Sequence, residues 1–379
     1  MRLAFVSIMS GAPWGACEEL WAAAARRALA DGHQVFVSIF ASSKDAPQIV
    51  DLAKRGATID LRTMNRVVRK WTWLTRLHDT FGPLRRFGAE AVCVNQGGTY
   101  DVGRRGNYAV LAEFLMASRT PYLVLCHCEQ PRPSRGPGLR AREVFERAAV
   151  VGMLADNLRV LTEQHLETSL NSVRVFRNPI KLASRAVLPW PKSNALRMAF
   201  VGRLETVKGL DLLVEALSMP EWHSRDWHLT ICGAGVDRAW AEERVRTNGL
   251  AERIVFAGYV TDIAGLWLNH HLLVMPSRYE GIPIALTEAM LCGRPVIATD
   301  VGGIREALDD GKSGFLIERA DLKSLSAALE RAWTERARLE SMGAHAFEQA
   351  QSLLDPDPGA TIVGWLTTMK TPATSAAAG

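Results

Sequence analysis

Residues 272–299 read LLVMPSRYEGIPIALTEAMLCGRPVIAT, and this stretch decides the fold. Leu272 to Met275 is a short unbroken apolar run, the pattern of a strand buried on both faces. Pro276 to Gly281 is a loop of turn-forming and polar residues. Pro283 favours the first turn of a helix, so a helix is expected over Ile284 to Leu291, and Pro295 to Thr299 is the next apolar strand. Two strands joined through a helix run parallel, because an antiparallel pair needs no such crossover.

The same alternation extends in both directions. Towards the N-terminus it gives strand Leu196–Val201, helix Gly209–Leu217, strand His228–Cys232, helix Asp237–Thr247 and strand Arg253–Phe256. Beyond it come strand Gly314–Ile317 and two helical segments. The first half repeats the theme: strand Leu3–Ile8, an alanine-rich helix Ala16–Ala30 stopped by Asp31-Gly32, then strands Gln34–Phe40, Ala91–Asn95, Tyr122–Cys126, Val150–Leu154 and Ser172–Phe176. The expected class is therefore α/β, with two Rossmann-like halves built on parallel sheets.

A length of 379 residues suits two domains of ordinary size. The expected division is an N-terminal domain over 1–180, a Pro-rich linker over 181–194 and a second domain over 195–357. A helix over 358–370 would return to the first domain, and 371–379 would form a disordered tail. A hydrophobic content of 48% excludes disorder, and no run of about 20 apolar residues offers a membrane span. Met1-Arg2 followed by Leu3 to Met9 superficially resembles a signal peptide, but the apolar run breaks at Ser10-Gly11 without a small-residue cleavage site. A cytoplasmic chain follows, with peripheral contact at the inner face of the membrane left open. Its six cysteines are scattered in apolar runs, as reduced thiols would be. Cys126 and Cys128 flank His127, yet no second Cys/His pair has zinc-site spacing, so no metal is expected.

Charge is uneven. The net charge is +5 overall, with a surplus of Lys and Arg in residues 1–180 and a slight acidic excess after them. Residues 62–86 are the most basic stretch, with Arg62, Arg66, Arg69, Lys70, Arg76, Arg85 and Arg86 against Asp79 alone, interleaved with Trp71 and Trp73. Two readings stand: contact with an anionic membrane or an anionic acceptor, and an ordinary helix with one solvated basic face. No nucleic-acid motif accompanies the charge.

The chemistry concentrates in loops at the carboxyl ends of the second-half strands, where open α/β sheets bind ligands. Gly202 allows close backbone approach, Arg203 supplies a planar fork and Lys208 a point charge at a helix start, a set suited to a diphosphate. Two solvated basic residues in a turn fit the same letters. Gly233 and Gly235 make a tight turn, but Arg238 stands where a dinucleotide fingerprint would carry its third glycine. Glu280 precedes the helix and Glu288 lies inside it, so the two carboxylates can face different parts of one elongated ligand; a carboxylate reads paired ribose hydroxyls well. The backbone of Gly281, Ile282, Pro283 and Ile284, with an N–H on each but Pro283, marks a helix start able to receive an oxygen.

In order and spacing, G-R-L…K-G, G-x-G, E-G-I-P-x-x-x-x-E-A-M and G-x-P-V…G-G…E resemble the retaining glycosyltransferases of family GT4, glycosyl transferases group 1, which have the GT-B fold. Glu280 and Glu288 fall on the family's E-x7-E pattern. The first half is more loosely similar: Gly11 to Glu19, Leu29 and Gly32-His33 resemble the family's glycine-rich loop and first helix, with Ala16 where many members have glycine. The resemblance implies two domains facing an interdomain cleft and a nucleotide-diphosphate sugar as co-substrate. By it, Arg203 and Lys208 hold the diphosphate, with Gly202 and Gly235 in the donor loops. Glu288 would take the ribose, Glu280 the transferred sugar beside Gly281 to Ile284, and Gly15 the diphosphate from the other domain. His127, ending strand Tyr122–Cys126, would stand near the reacting sugar; a buried hydrogen-bonding histidine is the other reading. Two cations in place of a divalent ion make metal independence the expectation, with no cofactor.

The implied reaction moves a hexose-like sugar to a hydroxyl acceptor: a glycan, a lipid-linked molecule or a small molecule. The rival readings are an epimerase or phosphorylase on the same fold, and a catalytically idle membrane-surface binding subunit.

Overall fold

The computed structural model describes residues 1–9, 14–62, 80–103, 107–128, 140–182 and 185–369. The chain divides into two compact units, Met1–Pro179 with Asp355–Gly379, and Ile180–Leu354.

The first unit holds a seven-stranded parallel sheet. Its strands are β1 (Arg2–Ser7), β2 (Gln34–Phe40), β3 (Thr58–Arg62), β4 (Ala91–Asn95), β5 (Tyr122–Cys126), β6 (Val150–Met153) and β7 (Val173–Val175), in the order β3-β2-β1-β4-β5-β6-β7. Every residue of β4 and β5 is buried, as expected of central strands covered by helices on both faces. Asn95 is the one strongly polar side chain in that apolar pair. β3 is different: the sequence reading names no strand between Phe40 and Ala91. It is an edge strand whose first four residues are exposed or half-buried, so it lacks the apolar run by which its neighbours are found.

The closing helix, Pro358–Thr368, packs on helix Ala16–Ala30 within this unit. The alanine-rich face makes the approach close: a Cβ at Gly359 would lie 2.8 Å from the Ala23 carbonyl oxygen. Asp357 caps the closing helix at the Ala360 amide (2.8 Å) and pairs with Arg27 Nη1 at 2.6 Å.

The second unit holds β8 (Leu196–Val201), β9 (Trp227–Cys232), β10 (Ile254–Gly258), β11 (Leu272–Met275), β12 (Val296–Thr299) and β13 (Gly314–Ile317), all parallel, in the order β10-β9-β8-β11-β12-β13. Phe200, Trp222, Trp227, Ile231, Phe315 and Leu329 lie in its core. The helix of the opening stretch runs from Ile284 to Leu291, with Pro283 as its cap (φ −67°, ψ 136°) rather than in its first turn.

The Pro-rich stretch 181–194 carries no helix or strand among its described residues. It is pinned to the second unit by Arg294, which is fully buried. The Arg294 guanidinium donates to the carbonyls of Leu188 (3.2 Å), Pro189 (2.6 Å), Trp267 (2.9 Å), His270 (2.9 Å), Cys292 (3.1 Å) and Gly293 (3.2 Å). It also lies over the Trp190 ring at 5.2 Å. Burial lowers its pKa to about 10, which leaves it charged at neutral pH.

In each sheet the strand order reverses once, between β1 and β4 in the first unit and between β8 and β11 in the second. Ligands of open parallel sheets bind outside the carboxyl ends at such points. Those ends carry Ser7, Asn95 and His127 in one unit, and Gly202, Arg203, Lys208 and Glu280 in the other.

Candidate functional site

In the second unit, Lys208 ends a short turn after β8, and Glu280 stands in the loop after β11. Lys208 Nζ donates to Glu280 Oε1 at 2.5 Å, and Ser277 Oγ donates to the same oxygen at 2.8 Å. Both side chains are largely buried. Two residues far apart in sequence are thus one ion pair at the switch point.

Close backbone packing fixes this pair. Gly209 has φ +70°, and a Cβ there would lie 2.0 Å from the Pro276 carbonyl oxygen, so the Lys208 turn sits against the Glu280 loop only through a glycine. From the opposite side, Gly302 (φ +59°) would bring a Cβ to 2.0 Å from the Glu280 carbonyl oxygen, and Gly303 N–H donates to Gly281 O at 2.9 Å. Arg278 adds a clamp the sequence reading did not single out. Its guanidinium forks onto Asp211 at 2.8 and 2.6 Å and also reaches the Thr206 carbonyl, while its amide donates to Val207 O at 2.8 Å.

The remaining candidates of this unit divide. The Lys208 stem runs beside Gly202, and a Cβ on that glycine would be 3.8 Å from Lys208 Cγ, an ordinary contact, so packing does not demand glycine there. Gly235 has a packing role: a Cβ would meet the Leu204 carbonyl oxygen at 2.2 Å. Arg203 is 57% exposed and bonds Glu205 at 2.6 Å, apart from the Lys208–Glu280 pair. Gly281 and Ile282 are buried, Pro283 and Ile284 half-buried, and no side chain caps the helix they open. Its first amides are therefore the donors an anionic or hydroxyl oxygen would meet.

Glu288 lies one turn inside that helix. It is buried, and burial pushes its pKa up to about 7, against a smaller opposing effect of Lys181. No described side chain hydrogen-bonds its carboxyl group, which suits a group awaiting hydroxyl donors.

In the first unit, Gly15 caps helix Ala16–Ala30 in extended backbone (φ −152°), and its nearest neighbour for a Cβ is Met9 Cε at 3.5 Å, so the backbone does not demand glycine there. Gly11 lies outside the described residues. His127 is buried, its Nε2 lies 2.7 Å from Asn95 Oδ1, and the Phe176 ring meets it edge-on at 5.2 Å. Burial pushes its pKa down to about 3, so it is neutral imidazole. Asn95 Nδ2 in turn donates to Glu18 Oε2 at 3.1 Å and Ser7 Oγ at 3.4 Å. Neither Asn95 nor Glu18 was picked out from sequence. The available signal was an Asn ending an apolar strand and a Glu three residues before a Trp on an alanine-rich helix.

Most of the basic stretch, residues 63–79, lies outside the described residues. Arg62 within it is corrected: it is buried, bonded to the Ser7 and Ser38 carbonyls and packed over Phe40 at 4.6 Å, so it adds no charge to a surface. Arg85 and Arg86 are exposed. No helix among the described residues is long and apolar enough to cross a membrane. Among those residues, no three His, Cys, Asp or Glu side chains converge as a metal site would require.

Residues 195–335 match the family described as Glycosyl transferases group 1. An alpha-D-kanosaminyltransferase from Streptomyces kanamyceticus is 28% identical over 219 residues, which cover 54% of this chain and 56% of that protein. The lipopolysaccharide core biosynthesis mannosyltransferase LpsB of Rhizobium meliloti is 34% identical over 153 residues, 38% of this chain and 44% of its own length. The chain thus spans about half the length of these curated relatives. Among solved structures, Anabaena Alr3699/HepE in complex with UDP and glucose is similar with a TM-score of 0.75 at 19% identity, over 97% of this chain and 100% of that one. The shared architecture is the GT-B fold, α/β with two Rossmann-like units.

Proposed function

We propose, on the premise that residues 195–335 belong to the glycosyl transferases group 1, that the chain is a retaining, GT4-like glycosyltransferase moving a hexose-like sugar from a nucleotide-diphosphate donor to a hydroxyl acceptor. The buried Lys208–Glu280 pair carries this reading. A lysine and a carboxylate locked together beside a helix start can part around a ligand that brings both phosphate and hydroxyl groups. Lys208 and Arg203 then meet the diphosphate, where negative charge collects as its bond to the sugar breaks, and the amides after Gly281 add to that stabilisation. Glu280 takes the sugar hydroxyls freed from its lysine partner. Glu288 accepts from the ribose, while Gly15 and His127 are assigned to the diphosphate and the transferred sugar. Two cations and the helix amides make the proposed reaction independent of metal. The likeness to HepE, whose structure is a complex with UDP and glucose, supports a nucleotide-sugar donor.

The net positive charge of residues 1–180 favours an anionic or lipid-linked hydroxyl acceptor. The cysteines form no disulfide among the described residues, which suits the reduced thiols of a cytoplasmic chain.

Thermal shift with UDP, GDP, ADP and TDP tests the donor assignment, with at least one expected to raise the melting temperature. Absence of any shift at millimolar nucleotide overturns it. Glu288 adds a sign to the test. Its folded pKa, about 7, lies above its ordinary 4.5, so the stability from keeping it protonated is complete below that ordinary value and is lost as pH rises through about 7. Ribose hydroxyls donate best to the ionised form, so nucleotide affinity rises with pH across the same window. Glu288→Gln is expected to flatten both slopes; an unchanged pH dependence in that variant removes Glu288 from the ribose role.

A further inference from the structure

The polar cluster beneath the carboxyl ends of β1, β4 and β5 is more than a parallel sheet needs for its own packing. Ser7, Glu18, Asn95 and His127 are all buried there and form one hydrogen-bonded string. Buried polar groups of this kind are costly unless each is satisfied, and all but one atom of the string is.

The string has a direction. Three donors converge on Glu18: Ser7 Oγ at 2.8 Å, Asn95 Nδ2 at 3.1 Å and Trp21 Nε1. Burial pushes the Glu18 carboxyl up from its ordinary value, against the hydrogen bonds from Trp21, Ser7 and Asn95 and the charge of Arg62. Trp21 Nε1 can only donate, so the Oε2 it shares with Asn95 is an accepting oxygen. That oxygen makes the Asn95 amide nitrogen face it, so the Asn95 carbonyl oxygen must face the histidine. A carbonyl oxygen only accepts, so the hydrogen between them sits on His127 Nε2. The ring is neutral, that hydrogen is its only one on nitrogen, and Nδ1 is a lone pair. Nδ1 is buried and, among the described residues, is the atom of the string with no hydrogen-bond partner.

We propose that Glu18 and Asn95 are positioning residues that hold His127 in the Nε2–H tautomer, so that Nδ1 accepts a hydrogen bond from a hydroxyl of the transferred sugar. The identity of that hydroxyl rests on the glycosyl-transfer reading; the tautomer does not. As a lone-pair acceptor, Nδ1 rejects a carbonyl or any other acceptor and is satisfied by an O–H donor, the donor a neutral sugar offers. The same geometry assigns a purpose to a carboxyl group buried in the first turn of an alanine-rich helix, two hydrogen bonds removed from the ring it orients.

The test is nitrogen-15 NMR of the full chain labelled at histidine, near neutral pH. The free protein is expected to show His127 with a protonated Nε2 and a bare Nδ1; a protonated Nδ1 overturns the proposal without any ligand or variant. UDP-glucose, GDP-mannose and ADP-glucose are then added in turn, with UDP, GDP and ADP as controls. At least one nucleotide sugar is expected to move the Nδ1 resonance in the direction of hydrogen bonding while its nucleotide alone does not. Binding of a nucleotide sugar with no movement of Nδ1 overturns the hydroxyl assignment. Failure of every nucleotide and nucleotide sugar to bind overturns the glycosyl-transfer reading instead, and the free spectrum still decides the tautomer.

Glu18→Ala removes the oxygen that orients Asn95. It is expected to give mixed His127 tautomers and to lower kcat on the order of tenfold with the donor KM within about twofold. A Glu18→Ala protein that keeps the single tautomer and full kcat overturns the positioning role; a merely structural glutamate would change the melting temperature and leave the tautomer alone.

Discussion

Lys208→Ala lowers turnover of the nucleotide-sugar donor by about 10²–10³-fold while the protein stays folded. The magnitude is that of deleting one preorganised donor to a developing negative charge in a site with little water. The sign has a geometric basis: Lys208 is the cation the second unit places at its switch point by close backbone packing, through Gly209 against Pro276 and through Gly302 against Glu280. Steady-state kinetics and a melting curve on the same preparation separate catalysis from folding. An active, normally saturating Lys208→Ala enzyme would sink the proposed mechanism. The substitution also leaves the buried Glu280 carboxylate with the Ser277 hydroxyl as its donor and no cation, a cost of its own. Lys208→Ala combined with Glu280→Gln removes that orphaned charge, so stability is expected to recover in the pair and turnover is not.

Arg294→Ala is expected to destabilise the second unit by at least about 3 kcal/mol, near 10 °C in its melting temperature. The guanidinium serves six carbonyls from three stretches of chain, and alanine would leave them facing an empty cavity. Arg294→Lys is expected to recover little, because an ammonium offers three donors without the planar fork. Urea unfolding followed by tryptophan fluorescence reads the loss through Trp190, which lies against Arg294. A variant within about 0.5 kcal/mol of wild type would show that water replaces the guanidinium at those carbonyls.

The parallel sheets were legible because their central strands are unbroken apolar runs, as at β4, β5 and β12. β3 was not, because an edge strand with one wet side carries no such run. The Lys208 and Glu280 loops were legible from glycines and charges at strand ends, but their mutual contact was not, since no spacing rule links positions so far apart in sequence. Arg278 shows the limit differently: its letter sits inside the most informative stretch, yet its role depends on Asp211 and a carbonyl before Lys208, both reached only in three dimensions. Glu18 and Asn95 were hidden by their surroundings. A charge in an alanine-rich helix and an amide at a strand end each look like surface residues until the sheet brings them together under His127.

The first unit is assembled from both ends of the chain, Met1–Pro179 and Asp355–Gly379, with Gly359 seated against Ala23. During synthesis, therefore, the last residue of the contiguous stretch Ile180–Leu354 is joined before the closing helix of its predecessor. The usual N-to-C order of domain maturation is inverted here. Until Pro358–Thr368 emerges, the alanine-rich face of Ala16–Ala30 is left waiting as bare apolar surface, a natural target for chaperones in the interval.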